Sequence, residues 1–192
     1  IVMFIYLDTE TTGNGPDDRL CQIAFKTENG PAVCELFNPG KPISIDAMVV
    51  HHITDKMVQD KPPFMGSEEY AKLQELISDK NNVVVAHNAQ FDMQMLNMEG
   101  IFSSRFICTL KLARHLDKNG VIPKYNLQYL RYFLGLDIDA RAHDALGDIL
   151  VLEGLFNRLN AKIQENDQLK DPVAEMIRIS NNPVLIPRMP FG

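Results

Sequence analysis

Ile1-Val-Met-Phe-Ile-Tyr-Leu7, running straight into Asp8-Thr-Glu10, is the stretch on which the fold turns. Val2 to Leu7 is continuously apolar, as a strand buried on both faces must be. Side chains alternate along a strand, so Asp8 and Glu10 point the same way. Two carboxylates then meet on one face, at the C-terminal end of a buried strand. At about 4 Å their repulsion is roughly 4 kcal/mol for an effective dielectric of about 20. Stability alone does not select such a pair, and a divalent cation is the usual remedy.

The elements that follow place this strand in an α/β domain with a mixed sheet. Leu20 to Lys26 and Ala32 to Phe37 read as two more strands, split by the turn Glu28-Asn-Gly-Pro31. A short helix is expected over Ser44 to Met48. A longer one is expected over Gly66 to Ser78, with Tyr70, Leu73, Leu76 and Ile77 as its apolar stripe. Asn82 to Ala86 reads as a buried strand, Gln90 to Glu99 as a helix, Arg105 to Cys108 as an edge strand and Thr109 to Leu116 as a helix. Asn126 is the expected N-cap of a helix ending before Gly135, and Asp144 that of a last helix reaching about Ile163. Strands come first as a meander and then alternate with helices.

Composition sets outer limits. The 192 residues suffice for one well-cored domain. Residues 1–165 carry the pattern; 166–192 hold four prolines, show periodicity only over Val173 to Ile179, and read as a C-terminal appendage or linker. Ile1 to Leu7 is too short to span a membrane and lacks a basic flank. The chain opens on Ile1 rather than Met, so residues upstream are expected. Cys21, Cys34 and Cys108 are widely spaced with no CxxC, which favours a reducing compartment such as the cytoplasm. With 19 Lys and Arg against 25 Asp and Glu, the net charge is −6. That is not the default for a nucleic-acid binder, but acids gathered on divalent metals reverse the local field.

Two further acids stand where the topology can bring them to the first pair. Asp92 lies in Ala86-His-Asn-Ala-Gln-Phe-Asp92, at the opening of a helix after a strand. Asp148 lies in His143-Asp-Ala-Leu-Gly-Asp148, in the first turns of the last helix. The helix dipole accounts for an acid at either place, but not for Asp8 with Glu10. Four converging carboxylates call for two hard cations, Mg²⁺ or Mn²⁺, since all the ligands are oxygens. A pair of such ions about 3.5–4 Å apart suits in-line phosphoryl displacement. His143, five residues before Asp148, has the pKa range of a general base near neutral pH.

Asp8-Thr-Glu10-Thr-Thr-Gly13, Ala86-His-Asn-Ala-Gln-Phe-Asp92 and His143-Asp-Ala-Leu-Gly-Asp148 resemble, in order, the three motifs of the DnaQ-like DEDDh 3′→5′ exonucleases. Val50-His-His-Ile-Thr54, Cys108-Thr-Leu-Lys-Leu-Ala-Arg114 and Tyr125-Asn-Leu-Gln-Tyr-Leu130 resemble the family's smaller matches. The resemblance implies an RNase H-like domain. It implies that Asp8, Glu10, Asp92 and Asp148 hold two Mg²⁺ or Mn²⁺ ions, and that His143 is the base. The tyrosine branch of the family would carry Tyr at position 144, where this chain has Asp. Thr11 and Thr12 match the segment that contacts the 3′-terminal nucleotide; His87 and Asn88 fall beside the site in support. The implied reaction hydrolyses phosphodiester bonds from the 3′ end of DNA, or RNA, and releases nucleoside 5′-monophosphates. The implied partners are a single-stranded or frayed 3′ end and polymerase or repair machinery. His52 departs from the family's frequent His-Gly-Ile-Thr. Asn182 to Gly192 resembles the start of a longer segment in exonuclease-X-like proteins, and is read as cut short.

Plainer readings stand beside these. His51 and His52 are structural, since neighbouring side chains diverge. Met93, Met95 and Met98 are helix core or flank, Asp17 and Asp18 a solvated turn, and His115 has no role. Arg19, Lys111 and Arg114 are the expected substrate cations, with Met48 and Phe91 as stacking surfaces. Rival functions are a nucleotide phosphodiesterase on the same metals, a catalytically dead nucleic-acid-binding module, and a structural protein whose acids only cap helices.

Overall fold

The computed structural model describes residues 2–139 and 145–183. His143 and Asp144, with the expectations attached to them, and the segment from 184 onward lie outside the described residues. Among the described residues, five strands form one sheet in the order β3-β2-β1-β4-β5. β1 (Phe4–Thr11) is central, antiparallel to β2 (Leu20–Thr27) and parallel to β4 (Val83–Ala86). β3 (Val33–Leu36) pairs antiparallel outside β2, and β5 (Phe106–Cys108) parallel outside β4. Helices cover both faces, which is the mixed sheet of the RNase H-like fold.

β1 continues past Leu7 because Asp8 and Glu10 still have strand partners, Ala24 and Gln22; register breaks only between Glu10 and Thr11. Alternation divides the core. Phe4, Tyr6, Val83 and Val85 face one layer with Ile149, Leu152 and Phe156 of α7 (Ala145–Gln164). Phe156 meets Phe4 and Tyr6 edge-on at 4.7 and 5.9 Å between ring centroids. Ile5, Leu7, Val84 and Ala86 face the other layer, with Leu73 of α3 (Glu68–Ser78) and Met93 and Leu96 of α4 (Ala89–Met98). Asp8 and Glu10 share the parity of Phe4 and Tyr6, so they project on the α7 side.

α1 (Ile45–His51) is capped by Ser44, whose hydroxyl accepts from Ala47 N, and α2 (Asp55–Val58) follows it closely. α5 (Thr109–Leu116) leaves β5 directly. α6 (Leu127–Phe133) starts at the Asn126 cap and stops at Gly135, whose φ of 62° lets Leu136 N reach back to Arg131 O.

The segment after residue 165 carries α8 (Pro172–Asn181), begun by an Asp171 cap and Pro172. Met176 and Ile179 are buried in the α7-side core. Cys108 N donates to Ser180 Oγ at 2.8 Å, so a serine satisfies backbone of the edge strand. Lys111 Nζ donates to Ser180 O and Asn182 O at 2.7 Å each, closing the end of α8. Lys111 is thus buried in a structural role, not placed to meet substrate. β5 is the edge in pairing order, but α8 covers it.

Burying Met and Ile side chains contributes about 1.5–3 kcal/mol each. Deleting residues 166–192 is therefore expected to lower the thermal midpoint on the order of 10 °C at about 2–4 °C per kcal/mol. Melting followed by circular dichroism checks this; an unchanged midpoint would make the segment a dispensable tail.

His52 takes a left-handed conformation, φ 61°, to end α1. The family's frequent glycine fits that position without a Cβ penalty. His52→Gly is expected to stabilise by about 1 kcal/mol in urea unfolding.

Candidate active site

Two carboxylates stand on the end of β1, Asp92 of α4 is hydrogen-bonded to the same strand, and Asp148 of α7 is within electrostatic reach. Asp8 and Glu10 project from β1 itself. Asp92, in the first turn of α4, is buried against the strand: its Oδ1 accepts from Thr9 N at 3.1 Å and from Thr9 Oγ1 at 2.7 Å. Asp148, in the first turn of α7, accepts from the Gln128 amide of α6. Arg131 in turn donates to Gln128 Oε1 at 3.4 Å.

The group is electrostatically unfavourable as it stands. Asp8 Oδ2 has almost no accessible surface and no hydrogen-bond partner among the described residues. Burial, and then the charges of Asp92, Glu10 and Asp148, push the Asp8 carboxyl well above the usual carboxylate range. Glu10 is pushed up to about 7 by burial and by Asp148 and Asp92. Burial likewise raises Asp92 to about 7, against the pull of the Thr9 hydrogen bonds. The four acids therefore feel one another. Even so, no three Asp, Glu, His or Cys side chains among the described residues are drawn together as a ready metal-ligand set. Asp92 is hydrogen-bonded to Thr9 and Asp148 to Gln128.

A cleft of about 470 Å³ opens beside Glu10, lined by Thr11, Gly13, Val50, His51 and Phe91 among others. Phe91 is half-buried on its wall, where an apolar face is available to a base. Met48 is not a lining residue; it packs on the cluster of Cys21, Ile43, Ile53 and Val58. Thr11 lines the cleft, with its hydroxyl donating to Gly13 O at 2.7 Å. Thr12 lies behind the wall instead. Its N donates to Arg19 O and its O accepts from Ser44 N, both at 2.9 Å. Its hydroxyl donates to Asp18 and accepts from Arg19 N. Thr12, expected to contact a nucleotide, is buried with its N, O and hydroxyl each engaged within the fold.

The histidines divide clearly. Ile53 N donates to His51 Nδ1 at 3.0 Å, so Nε2 carries the proton and donates to Thr11 O at 3.0 Å. His51 is a clamp between α1 and the end of β1. His87 Nε2 donates to Tyr125 O at 2.7 Å, which leaves Nδ1 to accept from the Thr109 hydroxyl at 2.8 Å. Burial lowers its pKa to about 4. His87 is therefore neutral at working pH and ties α4's approach to α5 and α6.

Two groups of residues read differently in the structure than in the sequence. Asp18 is not a solvated turn residue: it accepts from Thr12 Oγ1, Gly15 N and Lys41 Nζ. The expected substrate cations are occupied within the fold. Arg19 pairs with the buried Glu99 at 2.7 Å, Lys111 holds α8, and Arg114 lies over the Tyr125 ring at 5.2 Å. Only the spacing Thr12…Asp18 hinted at the first, and no local pattern marks the others.

An acid-lined cleft at the central strand of an RNase H-like sheet defines the class of a nuclease-like phosphoryl hydrolase scaffold. Residues 5–156 match the exonuclease (RNase T) family model, so the chain belongs to the DnaQ-like exonuclease family. It is 32% identical over 176 residues to the DNA polymerase III subunit epsilon of Treponema pallidum, covering 83% of this chain and 77% of that protein. It is 42% identical over 89 residues to exodeoxyribonuclease 10 of Escherichia coli, covering 42% of this chain and 32% of that one. The structure is similar to exonuclease X in complex with 5′ overhanging duplex DNA, with 28% identity and a TM-score of 0.67 over 92% of this chain and 99% of that one.

The raised carboxylates set a pH dependence. The native protein binds protons at Glu10 and Asp92 up to about pH 7, whereas the unfolded chain releases them near pH 4. Between those values the native state holds more protons, so stability falls as pH rises from about 4 to 7. The metal-free protein should melt at a higher temperature at pH 5 than at pH 8. Added Mn²⁺ should raise the midpoint more at pH 8 than at pH 5; an equal effect at both would separate cation binding from these acids.

Proposed function

We propose that this chain is a metal-dependent 3′→5′ exonuclease of the DEDDh type, acting on DNA. What supports the reading is that Asp8, Glu10, Asp92 and Asp148 act on one another's charge at the end of β1, beside a cleft that Glu10 lines, in a member of this family. The names of its relatives, a polymerase III subunit and an exodeoxyribonuclease, favour DNA over RNA and a role in replication or repair.

The donor set fits hard divalent cations. It is all oxygen, it carries a formal charge of −4, and it includes a buried carboxylate oxygen without a hydrogen-bond partner among the described residues. Asp8, Glu10, Asp92 and Asp148 would hold two Mg²⁺ or Mn²⁺ ions. Such a pair supplies activation of a water at neutral pH and stabilisation of charge on the leaving oxygen.

The chain's own residues do the rest. Thr11 and Phe91 form the surface against which the last nucleotide lies. Thr9 and Gln128 keep the Asp92 and Asp148 side chains aimed toward the end of β1. His143, assigned by its place in the third motif, takes the proton from the attacking water. The water oxygen bonds to the terminal phosphorus as the bond to the 3′ oxygen of the preceding nucleotide breaks; that oxygen takes a proton from solvent, and a nucleoside 5′-monophosphate leaves.

With a 5′-labelled oligonucleotide and Mg²⁺, the protein is expected to give a ladder shortening from the 3′ end. Asp8→Asn should abolish the ladder and raise the metal-free thermal midpoint, because it removes a buried carboxylate that Asp92, Glu10 and Asp148 repel. Normal turnover by that variant would sink the assignment. His143→Ala should lose about 10²–10⁴-fold in rate while calorimetry still records Mn²⁺ binding; an unchanged rate would remove His143 as the base.

A further inference from the structure

We propose that Asp18 is a positioning residue for the 3′-terminal nucleotide, acting through the β1–β2 loop that forms one wall of the cleft. The inference rests on the exonuclease reading above and assigns a residue that the three motifs do not contain.

The geometry is specific. Asp18 Oδ1 accepts from Thr12 Oγ1 at 2.7 Å and from Lys41 Nζ at 3.0 Å, and Oδ2 accepts from Gly15 N at 2.7 Å. Lys41 Nζ also donates to Asp17 O at 3.1 Å. One carboxylate thus joins the strand end, the loop tip and the segment leading into α1. Gly13, Asn14 and Asp18 line the cleft from one side, and Ser44, Asp46 and Ala47 line it from the other. Ser44 N donates to Thr12 O at 2.9 Å, so the two walls share the residue that Asp18 holds.

The carboxylate also explains Gly13. A Cβ there would stand 2.5 Å from Asp18 Oδ2. The loop is folded tightly over the acid at Gly13. Three donors, led by the Thr12 hydroxyl and Gly15 N, lower the Asp18 pKa to about 2, so the acid stays ionised at working pH.

Electrostatics and positioning predict opposite outcomes here. Asp18 is a negative charge on the wall of a cleft that would accept a phosphodiester, so neutralising it should tighten binding if charge were all that mattered. If Asp18 shapes the wall, neutralising it should weaken binding. The test uses Asp18→Asn, Asp18→Ala and Lys41→Met. KM and kcat are measured on a 5′-labelled ten-residue single-stranded DNA with Mn²⁺, alongside the affinity for thymidine 5′-monophosphate.

Asp18→Ala is expected to raise KM about tenfold or more with kcat within threefold. Thymidine 5′-monophosphate affinity should weaken by a similar factor. Asp18→Asn and Lys41→Met, which each keep part of the network, should fall between wild type and Ala. KM and nucleotide affinity unchanged or improved in the folded variants would overturn the proposal. Where Asp18→Ala does not fold, the Asn and Met variants decide by the same criteria. Wild-type protein that never shortens the DNA would count against the exonuclease reading instead. The nucleotide affinities of wild type and variants would still test Asp18.

Discussion

Mutual repulsion among carboxylates at the end of β1 is the constraint around which this molecule is organised. A central strand is the most rigid place a fold offers, since β1 is paired on both sides and packed on both faces. Asp8 and Glu10 therefore cannot drift apart as surface acids would. The surrounding elements respond locally. Thr9 offers Asp92 a backbone and a hydroxyl donor, and Gln128 offers Asp148 an amide. Those donors are neutral, so they orient the acids without cancelling their charge. The acids keep a raised affinity for protons.

That arrangement costs stability, and the two apolar layers offset it. On the α7 side, Phe4, Tyr6 and Phe156 form an aromatic cluster directly beneath the acids. Lys26 lies over the Tyr6 ring at 5.6 Å and pairs with Glu153 of α7, closing the layer at its rim. On the other side, Ile5 and Leu7 alternate with those residues and seat α4, which carries Asp92. Core and site are thus one design: the strand that supplies two acids also supplies the packing that brings up the other two.

Local patterns in the sequence reveal most of this. Apolar runs identify the strands, and Asn126 and the Glu28–Pro31 turn mark boundaries that the structure places within a few residues. The acids are legible because like charges after an apolar run are hard to explain otherwise. What escapes is what depends on partners far along the chain. Lys111 looks like a surface cation until Ser180 and Asn182 turn their carbonyls toward it. Arg19 looks available until Glu99, eighty residues away, is buried beside it. Asp18 looks like a turn residue because Asp-Asp after Gly-Pro usually is one. No periodicity encodes a hydrogen bond of this kind, so composition overstates how many charges remain for a ligand.

Backbone strain points to the same place as the charges. Among the described residues, His52 and Asn88 are the non-glycine residues with positive φ, at 61° and 62°. Each sits at a helix end, His52 after α1 and Asn88 before α4. At His52 the left-handed turn reverses the chain after α1, and that reversal brings Ile53 N onto His51 Nδ1. His51 Nε2 can then reach Thr11 O, which ties the helix to the strand end beside Glu10. At Asn88 the same conformation starts α4 immediately after β4, so that Asp92 arrives one turn later against Thr9. Asparagine tolerates that conformation better than most residues, whereas histidine pays about 1 kcal/mol or more. Strain of this size persists where neighbouring contacts over-determine the backbone. Here they do so at the turn that ends α1 and the turn that opens α4.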